Sequence, residues 1–295
     1  MTRCLRDHQD DFLAQRFAEN IINGDRHQCV SVLVLCRDNP EQLHDTLISV
    51  LKGAQGLEEP LEVLVVDGSL SSACTDLCKC WVKSDQPWFL HHHRQQSQGI
   101  YAALNEGIGM VRGQLLACMN SGDAYCPGGL TALVNHWKFA SAQAFKPLPA
   151  VFAQAWVEAV DGQSWLSPAP TMRNLSRWLR LMVPCHQAML FDLAFARQHP
   201  YPTNSLIADR VVMRAALLPV FSEVYLPQPV CFFRLDGVSS RWPTWRLLIK
   251  HLQDPHRHNI DRMSEVVKWC LRPVVVLQPW LMRVKSWFWG LCCSR

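Results

Sequence analysis

ACMNSGDAY, residues 117–125, changes character halfway through. The apolar run from Gln114 to Met119 stops abruptly at Asn120, Ser121, Gly122 and Asp123. A continuous apolar run of this length, bounded by turn residues, reads as a strand buried on both faces. The turn after it presents a carboxamide and a carboxylate together, which a simple reversal of the chain does not require. Asn, Ser, Gly and Asp also serve backbone geometry in turns, so the neighbouring segments must decide between the two readings.

Working outward, the same rhythm repeats. Val30–Cys36 (VSVLVLC) is a second apolar run, followed by the turn Arg37-Asp38-Asn39-Pro40. Pro40 suits the first turn of a helix, and residues 41–52 place Leu43, Leu47, Val50 and Leu51 on one stripe. Leu61–Val66 is another buried strand, ending in Asp67-Gly68-Ser69, and a helix is expected to follow through Trp81. Trp88–His92 is a short strand, residues 99–111 form a helix, and Gln114–Met119 is the fourth strand. Alternation of this kind predicts an α/β fold with a mostly parallel central sheet flanked by helices. Ligands of such sheets bind beyond the carboxyl ends of the strands. The residues at those ends are Asp38, Asp67 and Asn120 to Asp123, so the polar groups converge on one edge.

Beyond Cys126-Pro127 the pattern loosens. Strands are expected at Val151–Val157, at Ala188–Phe191 after Pro184-Cys185-His186-Gln187, and at Val230–Leu235, with helices over 171–182 and 205–218. Residues 8–22 have helical spacing, giving a division into an N-terminal helical extension (1–28), a main domain (29–240) and a basic, tryptophan-rich helical tail (241–295). The tail carries ten Lys/Arg against three Asp/Glu and six of the 12 tryptophans.

The bulk numbers bound the function. The net charge of +4 is too weak to argue for nucleic acid as a partner. The N-terminus has charges where a secretory signal has its apolar region. The thirteen cysteines are odd in number, and several lie inside strand-like runs, which fits reduced thiols in a cytoplasmic protein. The C-x3-C-x-C cluster of Cys74, Cys78 and Cys80 matches no common zinc spacing and reads first as a helix face. Residues 271–293 are broken by Pro273, Pro279, Arg283 and Lys285 and lack the apolar length of a membrane span. Two further patterns are declined. His91, His92 and His93 are adjacent on a strand and cannot all face one ion. Gly107, Gly109 and Gly113 lie in and after a helix, the wrong context for a dinucleotide loop.

GIYAALNEGIGMVRGQLLACMNSGD (99–123) resembles the centre of inverting family-2 glycosyltransferases with the GT-A fold, in particular the bacterial exopolysaccharide (colanic-acid-type) subgroup. SVLVLCRDNP, VVDGSLSS, CHQAML, IADRVV and FFRLDGVSS extend the resemblance in order over roughly residues 30–240. Ala102 stands where that subgroup has Asp and Glu106 where it often has Lys, and VVDGSLSS lacks a second Asp.

The resemblance implies a metal-dependent inverting transfer of one sugar from a nucleotide-sugar, UDP-linked, to a lipid-linked or oligosaccharide acceptor. Asp123 then holds Mg2+ or Mn2+, with Asn120 on ribose or metal-bound water. Asp67 accepts the imide N–H of uracil, or merely caps a helix. Asp38, Arg94 and Asn105 line the nucleotide side, Asn105 alternatively being a polar helix flank. Asp209 is the base, its alternative an ion pair with Arg210 or Arg214. His186 lies beside the acceptor, or is structural. The tail suits a membrane interface, with rings at headgroup depth and cations on anionic lipid, or else caps the core. A peripheral position at the cytoplasmic face of the inner membrane follows from the first alternative. A catalytically inactive scaffold and a sugar nucleotidyltransferase are the competing functions. The latter is disfavoured because Cys36-Arg37-Asp38-Asn39-Pro40 lacks a glycine-rich loop.

Overall fold

The computed structural model describes residues 29–82, 88–159, 162–167, 184–217, 224–235 and 254. Its first half is the expected alternation: β1 (Val30–Cys36), α1 (Pro40–Gly53), β2 (Leu61–Asp67), α2 (Ala73–Val82), β3 (Trp88–Arg94), α3 (Ile100–Met110) and β4 (Leu115–Asn120). These strands lie in the order β3-β2-β1-β4, all parallel. Every residue of β1 and β2 is buried, which is why their sequences are unbroken apolar runs instead of alternating ones. The chain runs from β1 outward to β3, then crosses to β4 on the other side of β1. The strand order therefore reverses between β1 and β4, and sheets of this kind bind ligands beyond the carboxyl ends at such a reversal.

Local chemistry accounts for α1. Asn39 caps it, accepting from the Gln42 amide at 3.0 Å, and Pro40 occupies its first turn. Leu43, Leu47 and Val50 are fully buried against the sheet, each stabilising by about 1.5–3 kcal/mol relative to exposure. The helix α3 sits closer still. A Cβ on Gly107 would come within 2.3 Å of Leu33 Cδ1 in β1, so only glycine admits this helix–sheet distance.

The second half turns the sheet antiparallel. After β5 (Ala124–Tyr125) and α4 (Gly129–Gln143) come β6 (Ala150–Glu158) and β7 (Ser164–Leu166), a single 3-10 turn (His186–Ala188), β8 (Met189–Asp192), α5 (Leu193–Gln198), α6 (Ala208–Leu217) and β9 (Tyr225–Arg234). β8 pairs antiparallel with both β4 and β6, β9 runs parallel to β6, and β5 pairs with β9. The sheet is thus parallel at its nucleus and mixed at its far side.

α4 and α5 were not expected from the sequence. α4 begins after Gly128 with no side-chain cap, so the usual start signal is missing. β9 begins at Tyr225, five residues before the expected Val230. Pro227 and Pro229 disguise it, and the register with β6 slips beside Gln154, because proline offers no N–H to the ladder. The helix expected over 171–182, the N-terminal helix and the tail lie outside the described residues, apart from Asp254. No helix among the described residues is long and apolar enough to cross a membrane.

Candidate active site

The carboxyl ends of β2 and β3 meet at Asp67. Its side chain is fully buried. Oδ1 accepts from the Ser69 amide at 2.8 Å. Oδ2 accepts from Thr75 Oγ1 and Arg94 Nη1, each at 3.0 Å, and lies 3.2 Å from His92 Nε2. Burial by itself would raise the carboxyl pKa. The hydrogen bonds from Ser69, His92 and Arg94 prevail and hold it well below the ordinary carboxylate range. Asp67 does not present a free edge to a base in this conformation. It orients Arg94, whose guanidinium also donates to the carbonyls of Ser69 and Ser71 and remains 44% exposed.

Asp38 is the more open acid of this corner, 43% exposed at its side chain. It adopts a left-handed φ of 54°, a conformation Asp tolerates better than most residues. Its Oδ1 accepts from the Leu70 amide at 2.7 Å, and its own amide donates to Ser69 Oγ at 2.8 Å. The two turns after β1 and β2 are thereby locked together. Glu106 fastens the next turn: its carboxylate accepts from the amides of Gln96 and Ser97 and from the Ser97 hydroxyl, and lies 3.2 Å from His93 Nε2. His92 and His93 thus serve different acids on different faces, as strand geometry requires.

The turn after β4 is braced from α1. Thr46 Oγ1 donates to the Asp123 carbonyl at 2.8 Å and accepts from the Gly122 amide at 3.0 Å. Gly122 has φ of 103°, which explains its presence between Ser121 and Asp123. Asp123 is buried. Its Oδ2 accepts from Gln187 Nε2 at 2.8 Å and its Oδ1 from the Arg234 amide at 3.0 Å. Among the described residues the Asn120 carboxamide has no hydrogen-bond partner, and the buried Ser121 Oγ is unsatisfied. Carboxylate, carboxamide and hydroxyl oxygens are hard donors suited to Mg2+ or Mn2+, which keep waters and phosphate oxygens as remaining ligands. The oxygens of Asn120, Ser121 and Asp123 are thus of the chemical kind such an ion takes.

From Asp123 a continuous set of contacts leads to Asp209. Gln187 follows His186, whose Nε2 lies 2.6 Å from Tyr201 Oη. The Tyr201 and Tyr101 rings stack at 6.0 Å and 4°. Tyr101 Oη donates to Asp209 Oδ1 at 3.0 Å. Asn105, one helical turn after Tyr101 on α3, grips the Tyr201 backbone with both ends of its amide, at 2.8 Å each. Its amide is therefore spent on Tyr201 and not held toward the nucleotide edge. Burial depresses the His186 pKa, with the Asp209 charge partly opposing, so His186 is neutral near pH 7. Burial, then the Asp209 charge, push the Tyr101 hydroxyl well above its ordinary value and keep it a donor. Tyr101, Tyr201 and Thr46 were not singled out from the sequence. Tyr101 was legible within the GIYAALNEG stretch, whereas the other two gave no signal.

The cysteines resolve differently from their spacing. Cys74 and Cys78 are buried and Cys80 is exposed. Cys36, Asp67 and Cys74 bring their ligand atoms within 4.8 Å of one another. Asp67 is already served by Ser69, Thr75, Arg94 and His92, while burial above all raises the Cys36 thiol and pushes Cys78 up to about 12. Cys36 and Cys78 therefore pack as protonated thiols.

The family model for glycosyl transferase family 2 matches residues 31–198. The chain belongs to glycosyl transferase family 2. The chain has no match among curated proteins. Among solved structures it is similar to TarS 1-349 of S. aureus, at 16% identity and a TM-score of 0.53, covering 70% of this chain and 60% of that one. The chain thus spans about 60% of that structure's length. The same TarS fragment in complex with UDP aligns over 87% of both chains at 14% identity and a TM-score of 0.53. A mannosyltransferase from Pyrobaculum calidifontis in complex with GDP-Man and Mn2+ aligns at 15% identity and a TM-score of 0.52, covering 92% of this chain and 80% of that one. These likenesses carry the GT-A fold. The colanic-acid-type resemblance is narrower than anything these similarities reach.

Proposed function

We propose that this glycosyltransferase moves one sugar from a UDP-sugar to a lipid-linked or oligosaccharide acceptor, with inversion, in cell-surface polysaccharide synthesis. One observation carries the reading: the Asp123 turn and Asp209 are joined by the contacts Gln187–His186–Tyr201–Tyr101 at one edge of the sheet. Inverting transfer needs two acids with separate duties. One helps to neutralise the departing diphosphate, and the other takes the acceptor proton on the opposite face of the sugar.

Asn120, Ser121 and Asp123 would hold Mg2+ or Mn2+, which supplies charge neutralisation for the diphosphate. Arg94, fixed by Asp67, and Asp38 serve the nucleotide. Asp209 removes the proton from the attacking hydroxyl, with Tyr101 orienting its carboxylate. Neutral His186 holds Tyr201 and borders the acceptor side. Ile100 and Leu206, 52% and 38% exposed beside these groups, favour an acceptor with an apolar portion. In this reading the segment 241–295 meets the inner-membrane surface from the cytoplasmic side.

The test is a thermal-shift and calorimetric panel of UDP, GDP, CMP and UDP-sugars, each with Mn2+ and with EDTA, for the native protein and Asp123→Ala. A Mn2+-dependent response to UDP that the variant loses is expected. No response to any nucleotide by folded native protein would refute donor binding and favour an inactive scaffold.

A further inference from the structure

Asp254 is separated by 45 positions from Asp209 in sequence, yet it closes the segment that leads into Asp209. Its carboxylate is buried, 4% exposed. Oδ2 accepts from Ser205 Oγ at 2.8 Å and from the Leu206 amide at 2.7 Å. Ser205 Oγ in turn accepts from the Ile207 amide at 3.1 Å. Tyr101 Oη lies 3.2 Å from the Leu206 carbonyl and 3.0 Å from Asp209 Oδ1, and its single proton is shared between these two acceptors. Leu206 is therefore held by Asp254 through its amide, and its carbonyl faces the Tyr101 hydroxyl that also reaches Asp209. α6 starts two residues later, at Ala208, with Asp209 in its first turn.

We infer that Asp254 is a positioning residue for Asp209. It acts through Ser205 and Leu206, which ties Asp254 to the working site. The physical ground is twofold. A buried carboxylate is retained only where hydrogen-bond donors meet it, and here the donors are the backbone and hydroxyl groups that set the entry to α6. A negative charge ahead of a helix N-terminus also favours the orientation of that helix. Loss of the carboxylate frees the 205–207 turn, and with it the direction in which Asp209 and Tyr101 meet. The inference rests on the glycosyl-transfer reading of Asp209.

The experiment is a double-mutant cycle on the full chain: native, Asp209→Asn, Asp254→Ala and the double variant. Nucleotide release from UDP-GlcNAc and GDP-Man, with water as the acceptor and Mn2+ present, gives turnover. Calorimetry with UDP and Mn2+ gives donor affinity. Asp254→Ala is expected to lower turnover by about tenfold to a hundredfold, the scale of a small misplacement of a reacting group, with UDP affinity within about twofold of native. In the double variant the losses are expected not to multiply: turnover should match Asp209→Asn alone, because residues acting through one another are not additive. Multiplying losses, or unchanged turnover in Asp254→Ala, would overturn the role of Asp254. If Asp254→Ala does not fold, Asp254→Asn and Ser205→Ala enter the same cycle with the same criteria. Failure of the native protein to bind UDP or to release nucleotide from either sugar would instead overturn the reading of the site as a whole, and this inference with it.

Discussion

Replacing Asp67 by Asn tests the electrostatic account of the corner between β2 and β3. The substitution keeps the shape and the acceptor for the Ser69 amide. It places an amide NH2 where Oδ2 met Thr75, Arg94 and His92. The Thr75 hydroxyl can rotate, and the His92 ring nitrogen can serve as acceptor, so both can be satisfied again. Arg94 cannot, since a guanidinium only donates. A hydrogen bond to a charged group is worth about 1.5–3 kcal/mol. Arg94 is 44% exposed and recovers part of that from water, so the net loss is about 2 kcal/mol near pH 7 after this discount. For a domain of this size that lowers Tm by roughly 4–8 °C. The pH dependence has a definite sign. The folded carboxyl pKa lies below its ordinary value, so the stabilisation is complete above the unfolded value of about 3.9 and fades as the pH falls further. The gap between native and Asp67→Asn, followed by thermal unfolding from pH 7 to pH 3, should therefore narrow on acidification. Equal Tm at pH 7, or a gap that widens in acid, would refute the assignment.

Other consequences are open to similar measurement. Gly107→Ala gains about 1 kcal/mol of helix propensity but drives a methyl into Leu33, at about 1–3 kcal/mol; a net loss near 1 kcal/mol is expected in urea unfolding, and a gain would contradict the helix–sheet spacing. His186 has a depressed folded pKa, so the unfolded chain binds more protons below about pH 6.5 and native stability drops there. His186→Gln should lose less stability than native protein between pH 7 and pH 5, and parallel losses would argue against a neutral, half-buried His186. Burial opposes the ionisation of Glu106, but hydrogen bonds from Ser97, Gln96 and His93 prevail and bring its pKa down to about 2. Glu106→Gln should speed hydrogen exchange at the Gln96 and Ser97 amides, and unchanged protection would show that the turn stands without it.

The parallel half of the sheet was legible because its causes are local. β1, β2 and β4 are buried on nearly every residue, so their sequences are apolar without interruption. Asn39-Pro40 marks the start of α1 by capping chemistry that needs no distant partner. From this alternation it also followed that Asp38, Asp67 and Asp123 gather at one edge. The far half was less readable. α4 lacks a side-chain cap, and β9 hides behind two prolines whose register slip is tolerated only because β6 lies alongside.

What each acid does at the edge was decided by partners from elsewhere in the chain. Asp67 looked like an open base-reading group, but Arg94 arrives from β3, 27 residues away, and seals it. Asn105 looked like a nucleotide contact, but Tyr201, 96 residues away, takes both ends of its amide. Asp123 is set by Gln187 and by the Arg234 amide, 64 and 111 residues on, and the entry to Asp209 by Asp254. By itself the sequence determined which strands form and which polar residues stand at their ends, because burial and capping act over a few residues. Only the tertiary structure decided which of those residues remain exposed and which are consumed, because hydrogen bonds and desolvation depend on groups that meet only when the chain has closed.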